Sequence, residues 1–278
     1  MKNSNQKHTF IFFLFLVSGT WGSLMAQPSK YFGTEGATET SVIGLQAGSG
    51  IISGDVDFMP FVQGGLYYQY HFKRWLDVRA GINYGLYKGA DTDRTGAIGS
   101  NQALNGGSLN NPPVNYTNTG FVYQNYQTSV MDISVTGKLN LISLFSPKYK
   151  KPFSVYLMGG TGVLTYLAKT DALDASGNIY PYQNITTDNP SEVKSLLSDM
   201  RDGKYESFAE YEKNSHLFLS GGLGFRYRLG NHLGLGLESQ VKYIQDDLLD
   251  GQRWKTDTET SENNDIIFNA GLIFEYLF

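Results

Sequence analysis

Residues 65–87 read GLYYQYHFKRWLDVRAGINYGLY, and from Leu76 onward apolar and polar side chains alternate at every position. Leu76, Val78, Ala80, Ile82, Tyr84 and Leu86 fall on one face of an extended chain, and Asp77, Arg79, Gly81, Asn83, Gly85 and Tyr87 on the other. A period of two marks a strand with one apolar face, because successive side chains of a strand point to opposite sides. Lys73-Arg74-Trp75 interrupts the pattern and reads as a short turn between two strands. Tyr67, Tyr68, Tyr70, Phe72 and Trp75 gather at the end of the first strand, either as the interfacial girdle of aromatics that a membrane barrel requires or as an aromatic cluster of a core.

The same alternation recurs on both sides of this stretch. In residues 216–229, Leu217, Leu219, Gly221, Leu223, Phe225, Tyr227 and Leu229 oppose His216, Phe218, Ser220, Gly222, Gly224, Arg226 and Arg228. In residues 233–244, Leu233, Leu235, Leu237, Val241 and Tyr243 oppose Gly234, Gly236, Glu238, Gln240 and Lys242. Further strands are expected over residues 41–51, 58–72, 123–141, 153–167 and 266–278, which makes eight.

A soluble sandwich and a membrane barrel both alternate in this way, so other features must separate them. Many of these segments run to eleven residues or more, beyond the soluble mode of about five or six and suited to a tilted membrane crossing. The polar faces carry ions of both signs: Asp77, Arg79, Asp132, Lys138, Arg226, Arg228, Glu238, Lys242 and Glu275. Five cations against four anions suggest an ion-paired, filled interior rather than a solvated surface. Connection lengths alternate as well. After the turn at 52–57, the connections at 73–75, 142–152 and 230–232 are short, whereas 88–122, 168–215 and 245–265 are long. Short periplasmic turns and long external loops characterise outer-membrane barrels, and an even strand number puts both termini in the periplasm. The external connections carry 9 basic and 20 acidic side chains, against five basic and no acidic ones in the internal turns.

Composition narrows the function classes. With 14% aromatic and 17% charged residues the chain is not a disordered one. No cysteine is present, which excludes disulfides, thiolate metal sites, cysteine nucleophiles and lipoprotein acylation. A net charge of −4 offers no footprint for nucleic acid. The N-terminus, MKNSNQKH followed by FIFFLFLV and ending Leu24-Met25-Ala26-Gln27, has the form of a secretory signal peptide cleaved after Ala26. Its apolar run is far short of the ~20 residues a membrane-spanning helix needs. The expected organisation is a signal peptide over 1–26, a periplasmic segment over 27–40 and a barrel over 41–278. The mature chain would then carry a net charge of −6.

The final strand sets Phe268, Ala270, Leu272, Phe274, Tyr276 and Phe278 on one face. A terminal strand of alternate aromatics ending in Tyr-Leu-Phe resembles the C-terminal strand by which outer-membrane barrels are recognised by the insertion machinery. Together with the start through Ala26-Gln27, the stretch at 65–87, GGLGFRYRLGNHLGLGLESQVKY at 221–243, DDLLDG at 246–251 and FNAGLIFEYLF at the end, this chain resembles the small outer-membrane β-barrel proteins of Bacteroidota-type bacteria. Within them it is similar to the N-terminal barrel of outer-membrane protein A and to PorT-like proteins. The resemblance spans most of the mature chain and is specific for architecture, not for role. Similarity to PorT-like proteins implies an accessory subunit of an outer-membrane secretion or assembly complex. The peptidoglycan-binding domain of larger relatives is not found here, so no cell-wall tether is expected.

Candidate chemistry is sparse. After the signal peptide only His71, His216 and His232 remain. His71 and His232 fall beside inner turns, as interfacial polar side chains. His216 falls near the outer rim, where with Ser215, Ser220 or Asp265 it would be the one acid–base or nucleophile pair available, but nothing sets a triad geometry. DDLLDG has some look of a calcium loop, yet Leu248 and Asp257 stand where an oxygen ligand and a glutamate are needed, so it reads as solvated external acid. Gly221, Gly222 and Gly224 lie inside a strand, making room for bulky interior neighbours rather than cradling phosphate. In the loop 168–215, Asn189 followed by Pro190-Ser191-Glu192 reads as a helix start, with Val193, Leu196, Leu197 and Met200 set to pack on the barrel rim, the favoured reading, or to meet a partner. The loop 88–122 is rich in Gly, Asn, Thr and Ser.

The sequence thus predicts an all-β, eight-stranded antiparallel transmembrane β-barrel with long external loops, monomeric and in the cell outer membrane. No catalytic, cofactor-binding or metal residues are assigned. A non-enzymatic structural or surface-interaction role leads, acting through loops 168–215 and 245–265. An accessory subunit of a secretion or assembly complex comes next, and a narrow channel third. The expected partners are outer-membrane lipid, the barrel-insertion machinery and an envelope protein, with no nucleic acid.

Overall fold

The computed structural model describes residues 41–73, 75–96, 121–145, 152–206, 215–251 and 264–278. The expected signal peptide and periplasmic segment, most of the loop 88–122 and part of 245–265 lie outside the described residues. Eight long strands form the fold: β1 Ser41–Ser53, β2 Phe61–Lys73, β3 Leu76–Ala90, β4 Asn125–Asn140, β5 Phe153–Lys169, β6 Ser215–Leu229, β7 Leu233–Ile244 and β8 Ile266–Leu277. Each pairs antiparallel with its neighbours in sequence, and β1 pairs with β8 from Val42↔Leu277 to Ser53↔Ile266. The first and last strands therefore close the sheet into an up-and-down barrel without a free edge.

The strands run to 12–17 residues, and burial alternates along most of each one. Ile82, Ile133, Leu223 and Leu272 point outward and are 40%, 60%, 60% and 52% exposed. Their sequence neighbours Asn83, Asp132, Gly224 and Gly271 take the inner face. The barrel is thus inside-out, with apolar side chains on the exterior and ions within. Phe274, Tyr276 and Phe278 of the last strand face outward as their spacing requires. Of the aromatic cluster in β2, Tyr68, Tyr70 and Phe72 lie outside, but Tyr67 turns inward and is buried. It sits on the other parity of the strand, so clustering in sequence did not place it in the girdle.

One end holds the tight connections. β2 passes to β3 and β6 to β7 within three residues, and Gly230 takes a φ of +79°, the left-handed backbone that glycine adopts without strain. After β4 a short helix, α1 Leu141–Phe145, follows, with Ser143 N–H donating to Asn140 Oδ1 at 3.1 Å. The longer connections, including that between β1 and β2, meet at the other end.

Candidate functional site: the filled interior, the mouth and the external cap

From the tight-turn end upward, the interior is a layer of bonded ions. Glu238 accepts from both terminal nitrogens of Arg79 at 2.7 Å, from Lys138 Nζ at 3.0 Å and from the Tyr156 hydroxyl at 2.6 Å. Glu275 accepts from the Tyr67 hydroxyl at 2.9 Å and from Arg226 at 3.3 Å. Asp77 accepts from Gln69 Nε2 and lies 2.7 Å from His71 Nδ1, while Asp132 pairs with Lys242 and accepts from Asn83. Of the nine interior ions the sequence singled out, all except Arg228 are less than 9% exposed, and Arg228 is half-buried. Arg79 stacks 3.6 Å from the centroid of the Tyr67 ring and Lys138 3.9 Å from that of Tyr156.

Glycine makes this packing possible. A Cβ at Gly44 would lie 2.1 Å from Tyr67 Cζ, and one at Gly224 would lie 2.4 Å from the Tyr156 ring. Gly222 likewise faces the end of Met158, whereas Gly221 is on the outward face and makes no room for an interior neighbour. Gly44 and Gly224 are thus the slots into which Tyr67 and Tyr156 fold.

Above the ions the filling becomes apolar. Ile52, Tyr87, Tyr126, Val130, Leu164, Tyr166, Phe218, Ile244 and Ile267 form one buried cluster, joined from above by Leu248 and Leu249. Residues 246–251 are therefore not solvated acid. They turn into the mouth, with Leu249 at 0% and Asp250 at 1% exposure. Their acids are accommodated by donors: Asp250 Oδ2 accepts from Asp55 N–H at 2.6 Å and Val56 N–H at 3.0 Å, and Asp246 accepts from the Tyr166 hydroxyl. Asp265 Oδ2 accepts from Leu249 N–H at 2.7 Å and Asp250 N–H at 3.3 Å. Two leucines set among aspartates were the overlooked signal that this loop must find an apolar seat.

His216 lies at this level, its Nε2 3.4 Å from Asp246 Oδ2 and its ring 5.5 Å from that of Tyr166. Among the described residues, neither Ser220 nor Asp265 hydrogen-bonds to it. His71 bonds Asp77, and His232 Nδ1 lies 3.1 Å from Leu277 O with its ring stacked on Tyr276, both beside inner turns as expected.

Outside the mouth a separate small fold stands on the rim. Thr170 and Glu206 exchange two backbone hydrogen bonds, so the chain between them leaves and returns at one place. Helix α2, Pro190–Met200, starts where the sequence places it: Asn189 Oδ1 accepts from Ser191 N–H at 3.1 Å and Pro190 occupies the first turn. Val193 and Leu197 do not pack on the rim. They enter a second core with Tyr123, Tyr180, Tyr182, Ile185, Ala172 and Val122, and Leu196 stays 41% exposed. Val122 and Tyr123 belong to the preceding connection, which is also tied across by Arg201 donating to Tyr123 O at 2.7 Å and Arg94 to Ile185 O at 3.1 Å. Sequence periodicity does not show such a core, because its aromatics come from two separate connections.

Within this cap Asp171, Asp202 and Glu206 bring one carboxylate oxygen each to within 4.8 Å of one another. Asp171 accepts from the Tyr180 hydroxyl at 2.8 Å and Gly203 N–H at 3.1 Å, and Glu206 from Ala172 N–H at 3.0 Å. Burial raises the pKa of Asp171 and of Glu206, while the Lys204 N–H lowers that of Asp202. These bonds brace the return of the chain, and the trio is the group of three acids among the described residues with the spacing to hold a cation.

No family model and no curated protein matches this chain. Among solved structures it is similar to Neisserial surface protein A, at 10% identity and a TM-score of 0.44, over 86% of this chain and 97% of that one. It is similar to Ail, the attachment invasion locus protein of Yersinia pestis, at 12% identity and a TM-score of 0.41, over 86% and 99% of the two chains. A major outer membrane protein of Thermus thermophilus is similar at 14% identity and a TM-score of 0.43, over 84% and 99%.

Proposed function

We propose that this chain is a non-enzymatic outer-membrane barrel whose role is to hold a folded, acidic cap at the cell surface, where it meets a partner of the envelope or its surroundings. The observation that carries this reading is the inside-out distribution of side chains. Apolar residues at 40–60% exposure cover the barrel wall while eight ions are sealed within. Such a wall has no stable place in water and suits hydrocarbon, where closed barrels satisfy every backbone group. An interior filled by ions below and aromatics above favours a scaffold over a diffusion pore.

A single substitution tests the membrane reading. Ile133 lies halfway along β4, opposite Ile82 and Val163, and is 60% exposed. Ile133→Arg should cost ~2–4 kcal/mol of stability for the barrel in lipid vesicles, as a cation at the bilayer midplane does. A water-facing position would register no more than ~0.5 kcal/mol, and that result would remove the membrane from the account. For the cap, cross-linking in intact cells followed by mild extraction should recover a stoichiometric envelope partner attached through residues 170–206. A protein that fractionates with the outer membrane but recovers no partner would reduce the role to envelope support.

A further inference from the structure

Asp265 and Asp250 are both sealed at the barrel mouth, at 0% and 1% exposure. A single point beside Gly54 Cα lies 2.0 Å from Asp265 Oδ1 and 2.4 Å from Asp250 Oδ2, so the two carboxyl groups face each other across the bare glycine. The other oxygen of Asp265 is satisfied by the Leu249 and Asp250 N–H groups, but Oδ1 has no hydrogen-bond partner although it is buried. Two carboxylates in this arrangement would face one another as like charges out of water, and a proton on one turns the repulsion into a hydrogen bond.

We propose that Asp265 carries a proton toward Asp250, and that this carboxyl pair is a proton-controlled latch holding residues 246–251 in the barrel mouth. Asp265 is the proton-bearing member because Asp250 Oδ2 already accepts two backbone N–H groups from the end of β1, which favour its ionised form. Among the described residues Asp265 forms no ion pair with a lysine or arginine. Facing the pair are Tyr126 from β4 and Asp247 of the segment itself, with Asp91 beyond β3 on the far side of Tyr126; Thr128 of β4 donates to Leu249 O, the Asp55 N–H at the end of β1 donates to Asp250, and Asp265 N–H donates to Asp246 O. Tyr166 of β5 and His216 of β6 stand behind Asp246.

Burial first, and then the negative charge of Asp250, push the Asp265 carboxyl up to about 9. A carboxyl raised in the closed form relative to the open one gives its full stabilisation below the ordinary aspartate value. That stabilisation is lost progressively as pH rises, up to about 9, after which closure no longer depends on pH. Acid tightens the latch and alkali loosens it.

The absence of cysteine provides a direct assay. Leu249→Cys in the full chain, inserted in lipid vesicles, carries a single thiol where the side chain is now fully buried. Its rate of reaction with a maleimide, divided by that of the exposed position Ser176→Cys at the same pH, reports opening alone. The ratio is expected to rise by at least about tenfold between pH 6 and pH 9, one proton permitting at most about a decade per pH unit. Asp265→Asn in the same background keeps the acceptor for Leu249 N–H and supplies a donor toward Asp250, so the ratio should be low and flat across that range. Gly54→Ala drives a methyl between the two carboxyls and should give a high ratio at every pH. In the unsubstituted chain, exchange of the Leu249 and Asp250 amides, corrected for intrinsic base catalysis, should follow the same rise. A flat profile in both measurements, or the same rise in Asp265→Asn, overturns the latch. So does protection at neutral pH that calcium confers and a chelator removes, since a cation would then be the occupant.

Discussion

Glu238 is the joint of the interior. At 4% exposure it accepts four hydrogen bonds, two from Arg79, one from Lys138 and one from Tyr156. Replacing it with leucine fills most of the same volume but strands Arg79 and Lys138, which are 7% and 1% exposed; among the described residues Lys138 then keeps the Gln69 oxygen and the Tyr156 ring, and Arg79 the Tyr67 ring and a Glu275 oxygen at 4.0 Å. Breaking a buried pair by removing one partner costs ~3–5 kcal/mol, because the remaining charge is desolvated without compensation. Glu238→Leu should therefore lower the unfolding free energy in urea by about that amount, read from the midpoint of the heat-modifiable gel shift in lipid vesicles. A control comes from the exposed Lys204–Asp202 pair of the cap, whose lysine side chain is 74% exposed. Its loss in Lys204→Ala should register no more than ~1 kcal/mol. Apolar replacement of all three groups, Arg79→Met, Lys138→Met and Glu238→Leu together, should recover most of the stability, since no uncompensated ion is left. If Glu238→Leu cost no more than the Lys204 control, the interior would be wet and the filled-barrel argument would fail.

Other perturbations probe the neighbouring levels. Gly224→Val places a branched side chain where the Tyr156 ring lies, and should cost ~1–3 kcal/mol by the same urea assay, with the overpacking relieved when Tyr156→Ala is added. Asn189→Ala removes the acceptor for Ser191 N–H at the start of α2. It should cost about 1 kcal/mol of local helix stability, seen as faster amide exchange over residues 191–194 without a change in the barrel midpoint. Burial raises Asp91 to about 7, although the Asp57 N–H it accepts at 2.7 Å opposes the rise. The neutral acid therefore favours the folded rim below the ordinary aspartate range, and this contribution fades as pH climbs to about 7. Exchange at the amides around Asp91, corrected for base catalysis, should rise across that interval, and Asp91→Asn should flatten it.

The sequence exposed the barrel because its strands obey one rule over their whole length. Leu76 to Leu86 alternates without a break and Leu233 to Tyr243 is interrupted on its apolar face at Ser239 alone, so register and facing follow once either face is assigned. The start of α2 was equally legible, since Asn189 and Pro190 act through local backbone geometry. What stayed hidden depends on groups brought together from distant segments. Tyr123, Tyr180 and Tyr182 form the cap core only because two long connections cross above the rim. DDLLDG reads as exposed because aspartates are ordinarily solvated; that Asp250 and Asp246 are buried rests on the Asp55 and Val56 N–H groups and on the Tyr166 hydroxyl, donors from distant segments that carry no sequence signature. Tyr67 stands among the girdle aromatics in sequence, but parity along β2 sets it on the face opposite Tyr68.

The two layers of the interior separate opening from conduction. Residues 246–251 rest on the apolar cluster of Leu164, Phe218, Ile244 and their neighbours, whereas the ions around Glu238 and Glu275 lie further toward the tight-turn end. If the carboxyl pair at Asp250 and Asp265 lets go at alkaline pH, what is uncovered is an apolar recess closed at its floor by bonded side chains. Arg79, Lys138 and Arg226 are held by charge-assisted bonds to Glu238 and Glu275, and none of these partners belongs to the mouth segment. The barrel in planar bilayers should consequently pass no measurable steady current at pH 6 or at pH 9, even where thiol labelling at position 249 reports an open mouth. A current that appeared together with labelling would mean that the ion layer yields with the plug, and that the two layers are one gate.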